Sequence, residues 1–142
     1  MRLMDGNNLQ QQLYWSLVRV AISSKHVLMD VAEKYDLTVM QAYALCVLQS
    51  DESIPMNSLS KMLFCDASNV TGIVDRLFSR KLIKREENPK DRRVKMLTLT
   101  PEGEEVSKKI LKDLDLATVD IKLSKLSDEK KKQLLDILTE AI

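Results

Sequence analysis

The chain has 142 residues, a length that fits one compact domain, and 44% of them are apolar, enough to bury a core. Charged residues make up 30%, with only three glycines and three prolines, which excludes a disordered or collagen-like polymer and favours an ordered helical protein. The formal net charge of +1 hides a division: residues 56–100 carry ten Lys/Arg against five Asp/Glu, and the flanking segments carry 12 against 16. A basic middle between acidic ends fits either a polyanion partner or a solvated charged surface, and charge alone leaves both open.

No apolar run approaches the ~18 residues of a membrane span. The start, MRLMDGNNLQQQ, lacks the apolar core of a signal peptide. No membrane partner is expected, and a cytoplasmic location is. Cys46 and Cys65 form no CxxC pair and are expected as free thiols.

In chain order, the first element is a long helix over 8–34, with Leu9, Leu13, Leu17, Val20, Ser24, Val27 and Val31 at three- and four-residue steps and Ile22 and Leu28 broadening the stripe. Thr38 followed by Gln41 is a capping-box pattern, opening a helix through Ala42, Leu45, Cys46 and Leu48 to about Ser50. Pro55 suits the start of a short helix with Leu59, Met62 and Leu63 on one side. Phe64-Cys65-Asp66 makes a tight connection, and Asp66 is a good N-cap. The next helix buries Val70, Ile73, Val74, Leu77 and Phe78, shows Ser68, Asn69, Thr71, Gly72, Asp75 and Arg76 on its other side, and ends near Arg80.

The period then changes. Residues 82–85 and 94–99 read as two strands joined by a long charged tip, 86–93, with an Asn88-Pro89 turn signal. Thr100-Pro101 restarts helix, with Glu102, Glu104 and Glu105 at its positive end and Val106, Ile110, Leu114, Ala117 and Ile121 on its apolar face. A last helix starts at Ser127 and is expected to bury Leu134, Leu135, Leu138 and Ile142.

The expected fold is therefore mainly α: a winged helix-turn-helix with a two-strand wing, and N- and C-terminal helices that form a dimerisation region. One domain, 1–142, holds dimerisation helices at 1–36 and 101–142 around a DNA-binding region at 37–100. The physics of the centre suits DNA. A helix entering a major groove ~12 Å wide needs small or polar side chains on its outer face, and Ser68, Asn69, Thr71 and Gly72 meet that need. Asn69 can pair with adenine, and Ser and Thr can reach bases or phosphates. The plainer reading is that Ser68 and Asn69 are ordinary first-turn residues. An Arg at the tip of the hairpin can enter a narrow minor groove, with Asp91 holding Arg92 or Arg93 extended. The plainer reading there is an exposed ion pair worth about 0–1 kcal/mol.

These residues resemble the multiple antibiotic resistance regulator (MarR) family. The likeness rests on Ser68, Val70, Thr71, Val74, Asp75, Arg76 and Leu77, then Leu82-Ile83, then Asn88-Pro89 with Asp91-Arg92-Arg93, then Leu99-Thr100 with Gly103. It implies an obligate homodimer with two winged helices on successive turns of a near-palindromic operator, and usually repression of transcription. It assigns base contact to the 68–72 face and minor-groove contact to Arg92 or Arg93, with Asp91 as orienter. Where the family usually has Gly after the recognition helix, this chain has Lys81. Either Lys81 accepts a strained left-handed geometry at about 1 kcal/mol, or the turn differs. With no early Arg or Lys on the recognition face, an A/T-leaning site is expected, and Arg76 and Arg80 are expected to meet phosphates.

The terminal helices carry more apolar surface than a thin winged-helix core covers, which argues independently for a two-fold partner. The resemblance also allows an anionic aromatic effector, with Arg19 or His26 facing its charge and Tyr14, Trp15 and Tyr43 as walls; the plainer reading is that these residues fill a core. Cys65 near a helix start could sense oxidants, but both cysteines more often act as small buried residues. His26 is the only histidine, so no metal site is expected. No phosphate loop, GxGxxG, nucleophile elbow or HExxH is present. No cofactor and no enzymatic activity are expected. The competing class is a winged helix serving as a protein-interaction adaptor.

Overall fold

The computed structural model describes residues 8–116 and 122–142. Helix α1 runs over Leu9–Glu33. It is followed by α2 (Val39–Val47), the two-residue strand β1 (Ile54–Pro55), α3 (Met56–Leu63), α4 (Ala67–Ser79), β2 (Ile83–Asn88), β3 (Asp91–Leu99), α5 (Pro101–Leu116), a 3-10 turn (Lys122–Lys125) and α6 (Asp128–Ala141). The described residues fall into two compact units, 8–24 with 122–142, and 25–116.

In the larger unit the local signals act as expected. The Thr38 hydroxyl accepts from the Gln41 N–H at 3.2 Å while the Gln41 side chain accepts from the Thr38 N–H at 3.1 Å, a complete capping box. Asp66 caps α4 through the Asn69 N–H at 2.9 Å. Four helices pack around one core, with α4 against α2 and α3, and α5 against α2. Leu45, Leu59, Val70, Val74, Leu77, Ile83, Leu97 and Ile110 are its fully enclosed large side chains.

Helix α2 stops at Val47 rather than near Ser50, because Leu48 is extended and the Gln49 carbonyl accepts from the Leu99 N–H at 2.9 Å. That contact leads the chain onto the sheet edge, where β1 pairs antiparallel with β3, Ile54 opposite Leu97 and Pro55 opposite Met96. Sheet order is β1-β3-β2, so the wing hairpin carries a third, very short strand that two residues could not announce by periodicity. Pro55 is both a sheet-edge residue and the N-cap position of α3, one place before the helix proper.

The wing strands are longer than the sequence suggested. Strands β2 and β3 reach Asn88 and Asp91, leaving only Pro89 and Lys90 as the tip. Charged residues hold this stretch as strand: Glu87 and Lys95 are cross-strand partners with an ion pair of 3.2 Å. Three apolar assignments also change. Met62 is 42% exposed, because the buried line of α3 is Leu59 and Leu63, four apart. Phe78 is 43% exposed and lies under the Arg85 guanidinium, 4.7 Å from its ring centre. Among the described residues, none of the α6 side chains is buried: Leu135 is 64% exposed, and Ile142, just beyond the helix, is 92% exposed. The expected burial of Ala117 and Ile121 lies outside the described residues.

Lys81 adopts the left-handed conformation, with φ 59°, so of the two expected outcomes the chain takes the strained turn. Its carbonyl accepts from the Thr100 hydroxyl at 2.7 Å, and that oxygen in turn accepts from the Gly103 N–H at 3.0 Å. The Leu82 carbonyl accepts from the Thr100 N–H at 3.1 Å and lies so close to Gly103 that a Cβ there would sit 1.9 Å from it. The Leu-Thr-x-x-Gly run is therefore the joint that seats α5 against the start of the wing.

In the smaller unit, residues 9–24 of α1 expose Leu9, Leu13, Tyr14, Leu17, Val20 and Ile22. Tyr14 and Trp15 meet edge to face, with ring centres 5.3 Å apart. Among the described residues, no helix is long and apolar enough to cross a membrane.

Candidate nucleic-acid interface

Helix α4 presents a polar face because its other face is taken up by the core. Val70, Ile73, Val74 and Leu77 are buried, while Ser68, Asn69, Thr71, Gly72, Asp75 and Arg76 are all exposed. A Cβ added at Gly72 would meet nothing within 4 Å, so this part of the helix is flat and open. The polar side chains are partly organised already. The Ser68 hydroxyl donates to the Asp66 carboxylate at 2.8 Å, and the Thr71 hydroxyl donates to the Ala67 carbonyl at 2.8 Å. The Asn69 N–H and the Ser68 hydroxyl together hold the Asp66 carboxyl below its ordinary value.

The wing gives the arginines opposite aims. Side chains alternate along a strand, so Asp91 and Arg93 share a face and Arg92 points to the other. The Asp91 carboxylate grips Arg93 with two parallel bonds, from Nε at 3.1 Å and Nη2 at 3.2 Å, and also accepts the Arg93 N–H at 3.1 Å. The side-chain contact, then the backbone one, lowers the Asp91 carboxyl. Asp91 therefore orients Arg93, not Arg92. Arg93 remains 91% exposed in its side chain despite the pair. At the tip, the Asn88 side chain accepts from the Lys90 N–H at 2.9 Å and closes the turn.

A second set of contacts, absent from the sequence reading, ties the wing to α4. Arg85 Nη1 donates to the Asp75 carboxylate at 2.8 Å while the guanidinium covers Phe78. No periodic signal links Asp75 with Arg85, since one lies on a helix and the other on a strand.

Arg76 and Arg80 are less free than expected. Arg76 Nη2 pairs with the Asp36 carboxylate at 3.0 Å, in an exposed ion pair. Arg80 Nη1 donates at 2.9 Å to both the Tyr35 and the Asp36 carbonyls. Arg19, His26 and Tyr43 are each exposed. Cys46 and Cys65 are free and half-buried; burial raises the Cys46 thiol, opposed by a hydrogen bond to Ser107. Among the described residues, no group of three or more His, Cys, Asp and Glu side chains could hold a metal ion.

An exposed polar helix, seated by a preceding short helix and followed by an arginine-tipped hairpin, defines a winged helix-turn-helix protein. Residues 37–95 match the model of the MarR family. The chain is similar to YhbI of Bacillus subtilis strain 168, described as an uncharacterized HTH-type transcriptional regulator, with 33% identity over 99 residues, 70% of this chain. The chain spans 64% of that relative's length. Its fold is that of a MarR-family transcriptional regulator from Rhodococcus sp. RHA1, with a TM-score of 0.80, 23% identity and 96% of each chain covered. It is also similar to a mutant MepR of S. aureus solved bound to an oligodeoxyribonucleotide, with 26% identity, a TM-score of 0.61, and 90% and 94% of the two chains covered.

Proposed function

We propose that this chain is a sequence-specific double-stranded DNA-binding transcription regulator, acting as a homodimer on a near-palindromic operator and not as an enzyme. The observation that carries the reading is the wing: Arg92 and Arg93 project from the end of a hairpin in opposite directions, one of them pre-oriented by Asp91. An arginine aimed this way matches the negative potential of a narrow minor groove, while Ser68, Asn69, Thr71 and Gly72 offer a flat, polar face to the major groove. Arg76 can exchange its exposed partner Asp36 for a phosphate, because such pairs are weak. The oligonucleotide-bound MepR relative supports the same reading.

The homodimer is supported by the apolar side chains left open on α1 and α6, which a second copy would cover. The proposed output is ligand-responsive repression in the cytoplasm. The proposed effector is an anionic aromatic compound, with Arg19, His26 and Tyr43 as the candidate residues for it.

The test is selection of bound duplexes from a random pool by the purified protein, followed by Arg92→Ala and Arg93→Ala, singly and together. Selection of an A/T-leaning inverted repeat and loss of affinity in the double variant are expected. Recovery of no sequence, even at low salt where counterion release favours binding most, would instead favour the protein-interaction adaptor.

A further inference from the structure

The α1–α2 turn is held from two sides. Tyr35 and Asp36 form its apex, and Asp36 is left-handed, with φ 54°. From α4, Arg80 reaches back 45 and 44 positions and donates from one nitrogen, Nη1, to both carbonyls at 2.9 Å. Arg76, one helical turn earlier, binds the Asp36 carboxylate at 3.0 Å. From α5, Asp113 accepts the Tyr35 hydroxyl at 2.7 Å. Asp113 is the largest cause of the raised Tyr35 hydroxyl.

We propose that Arg80 is a positioning residue for sequence readout, not a phosphate ligand. Its side chain is half-buried and its Nη1 is committed to two backbone acceptors, so the guanidinium is a brace at the C-terminal end of α4. A brace at that end resists roll of the helix about its axis, and the roll decides which bases Ser68, Asn69 and Thr71 face. Bidentate base contacts demand narrow geometry, whereas phosphate contacts tolerate shifts. The brace therefore acts on discrimination more than on total affinity. Arg76 is different: its partner is an exposed side chain that a phosphate can replace, whereas the carbonyls under Arg80 are fixed parts of the turn.

This inference rests on the DNA-binding reading, and the experiment separates the two. The full chain and its Arg80→Ala, Arg80→Lys and Arg92→Ala variants are titrated with the duplex selected by the wild type and with a scrambled duplex of equal length, over a range of salt. Thermal melting of each protein runs alongside. For Arg80→Ala, affinity for the selected duplex should fall about tenfold, the scale of one mismatched base pair. Affinity for the scrambled duplex should stay within about twofold, and the slope of log affinity against log salt should be unchanged. Arg80→Lys, whose ammonium can also serve two carbonyls, should recover most of the discrimination.

A salt slope shallower by about one for each protomer, with equal losses on both duplexes, makes Arg80 a phosphate ligand and overturns the proposal. Equal losses on both duplexes with an unchanged slope and a lowered melting temperature make it a scaffold residue only, and also overturn it. Failure of the wild type to prefer any duplex removes the regulator reading itself. Loss of binding in Arg92→Ala alone, with Arg80→Ala like wild type, keeps that reading and removes the brace.

Discussion

Three non-glycine residues among those described hold positive φ: Asp36, Phe64 and Lys81. Phe64 closes α3 at φ 51° and is 84% exposed, so its ring gains little from the fold while its Cβ strains the turn. Phe64→Gly relieves about 1–2 kcal/mol of left-handed strain and adds about 0.5–1 kcal/mol of unfolded-chain entropy, for an expected gain of roughly 0.5–1 kcal/mol in urea denaturation. Gly103 is the opposite case. With a backbone oxygen 1.9 Å from any added Cβ, Gly103→Ala must move either α5 or the start of the wing. A loss of about 3 kcal/mol in the same measurement is expected, at the upper end for overpacking. At Asp66 the folded carboxyl lies below its ordinary value of 3.8, so its capping contribution is complete above that value and fades as pH falls through the depressed one. Asp66→Asn keeps an acceptor without the charge. The stability difference between wild type and Asp66→Asn should therefore be level at neutral pH and shrink in acid below 3.8, read from melts across pH.

Among the elements, the wing and α4 behave as a linked pair. Asp75, Arg85 and Phe78 join them through one ion pair and one cation–ring contact, all at partly exposed positions. Exposed pairs contribute little to stability, about 0–1 kcal/mol, but on the proposed function this one would hold the angle between the two surfaces offered to a duplex. Asp75→Ala is expected to leave urea stability within about 1 kcal/mol of wild type and to weaken specific DNA binding several-fold in a gel-shift titration; an unchanged affinity would show that the wing finds its angle without this tie. The short strand β1 has a similar role on the opposite edge, where Ile54 and Pro55 cover part of β3. Pro55 lacks an N–H to donate and is tolerated because the strand is an edge.

At the scale of the whole molecule, apolar residues on α1 and α6 lack cover within one chain. Leu13 and Leu17, one turn apart, are 56% and 50% exposed. A charge at either position should oppose pairing of two copies without touching the core of the larger unit. Leu17→Glu is therefore expected to sediment as a monomer at micromolar concentration and to lose operator affinity with it, because two half-sites are no longer engaged together. Sedimentation of the wild type as a monomer would remove the dimer proposal.

The sequence by itself determined what depends on neighbours within a few residues. The Thr38–Gln41 capping box, the Asp66 cap, the Thr100-Pro101 start and the alternation from helical to strand period each need only a local hydrogen bond or one buried face. Polar residues at 68–72 were legible for the same reason, since burying Val70, Ile73, Val74 and Leu77 leaves them no other side. Only the tertiary structure decided the contacts between distant positions: Arg80 on the Tyr35 and Asp36 carbonyls, Arg85 on Asp75, and Leu82 against Gly103. Long flexible side chains can reach many partners at similar cost, and backbone closeness leaves no periodic trace. The strand character of 86–88 and 91–93 was hidden likewise, because a strand exposed on both faces needs no apolar alternation, and its pairing is fixed by the turn and the cross-strand charges.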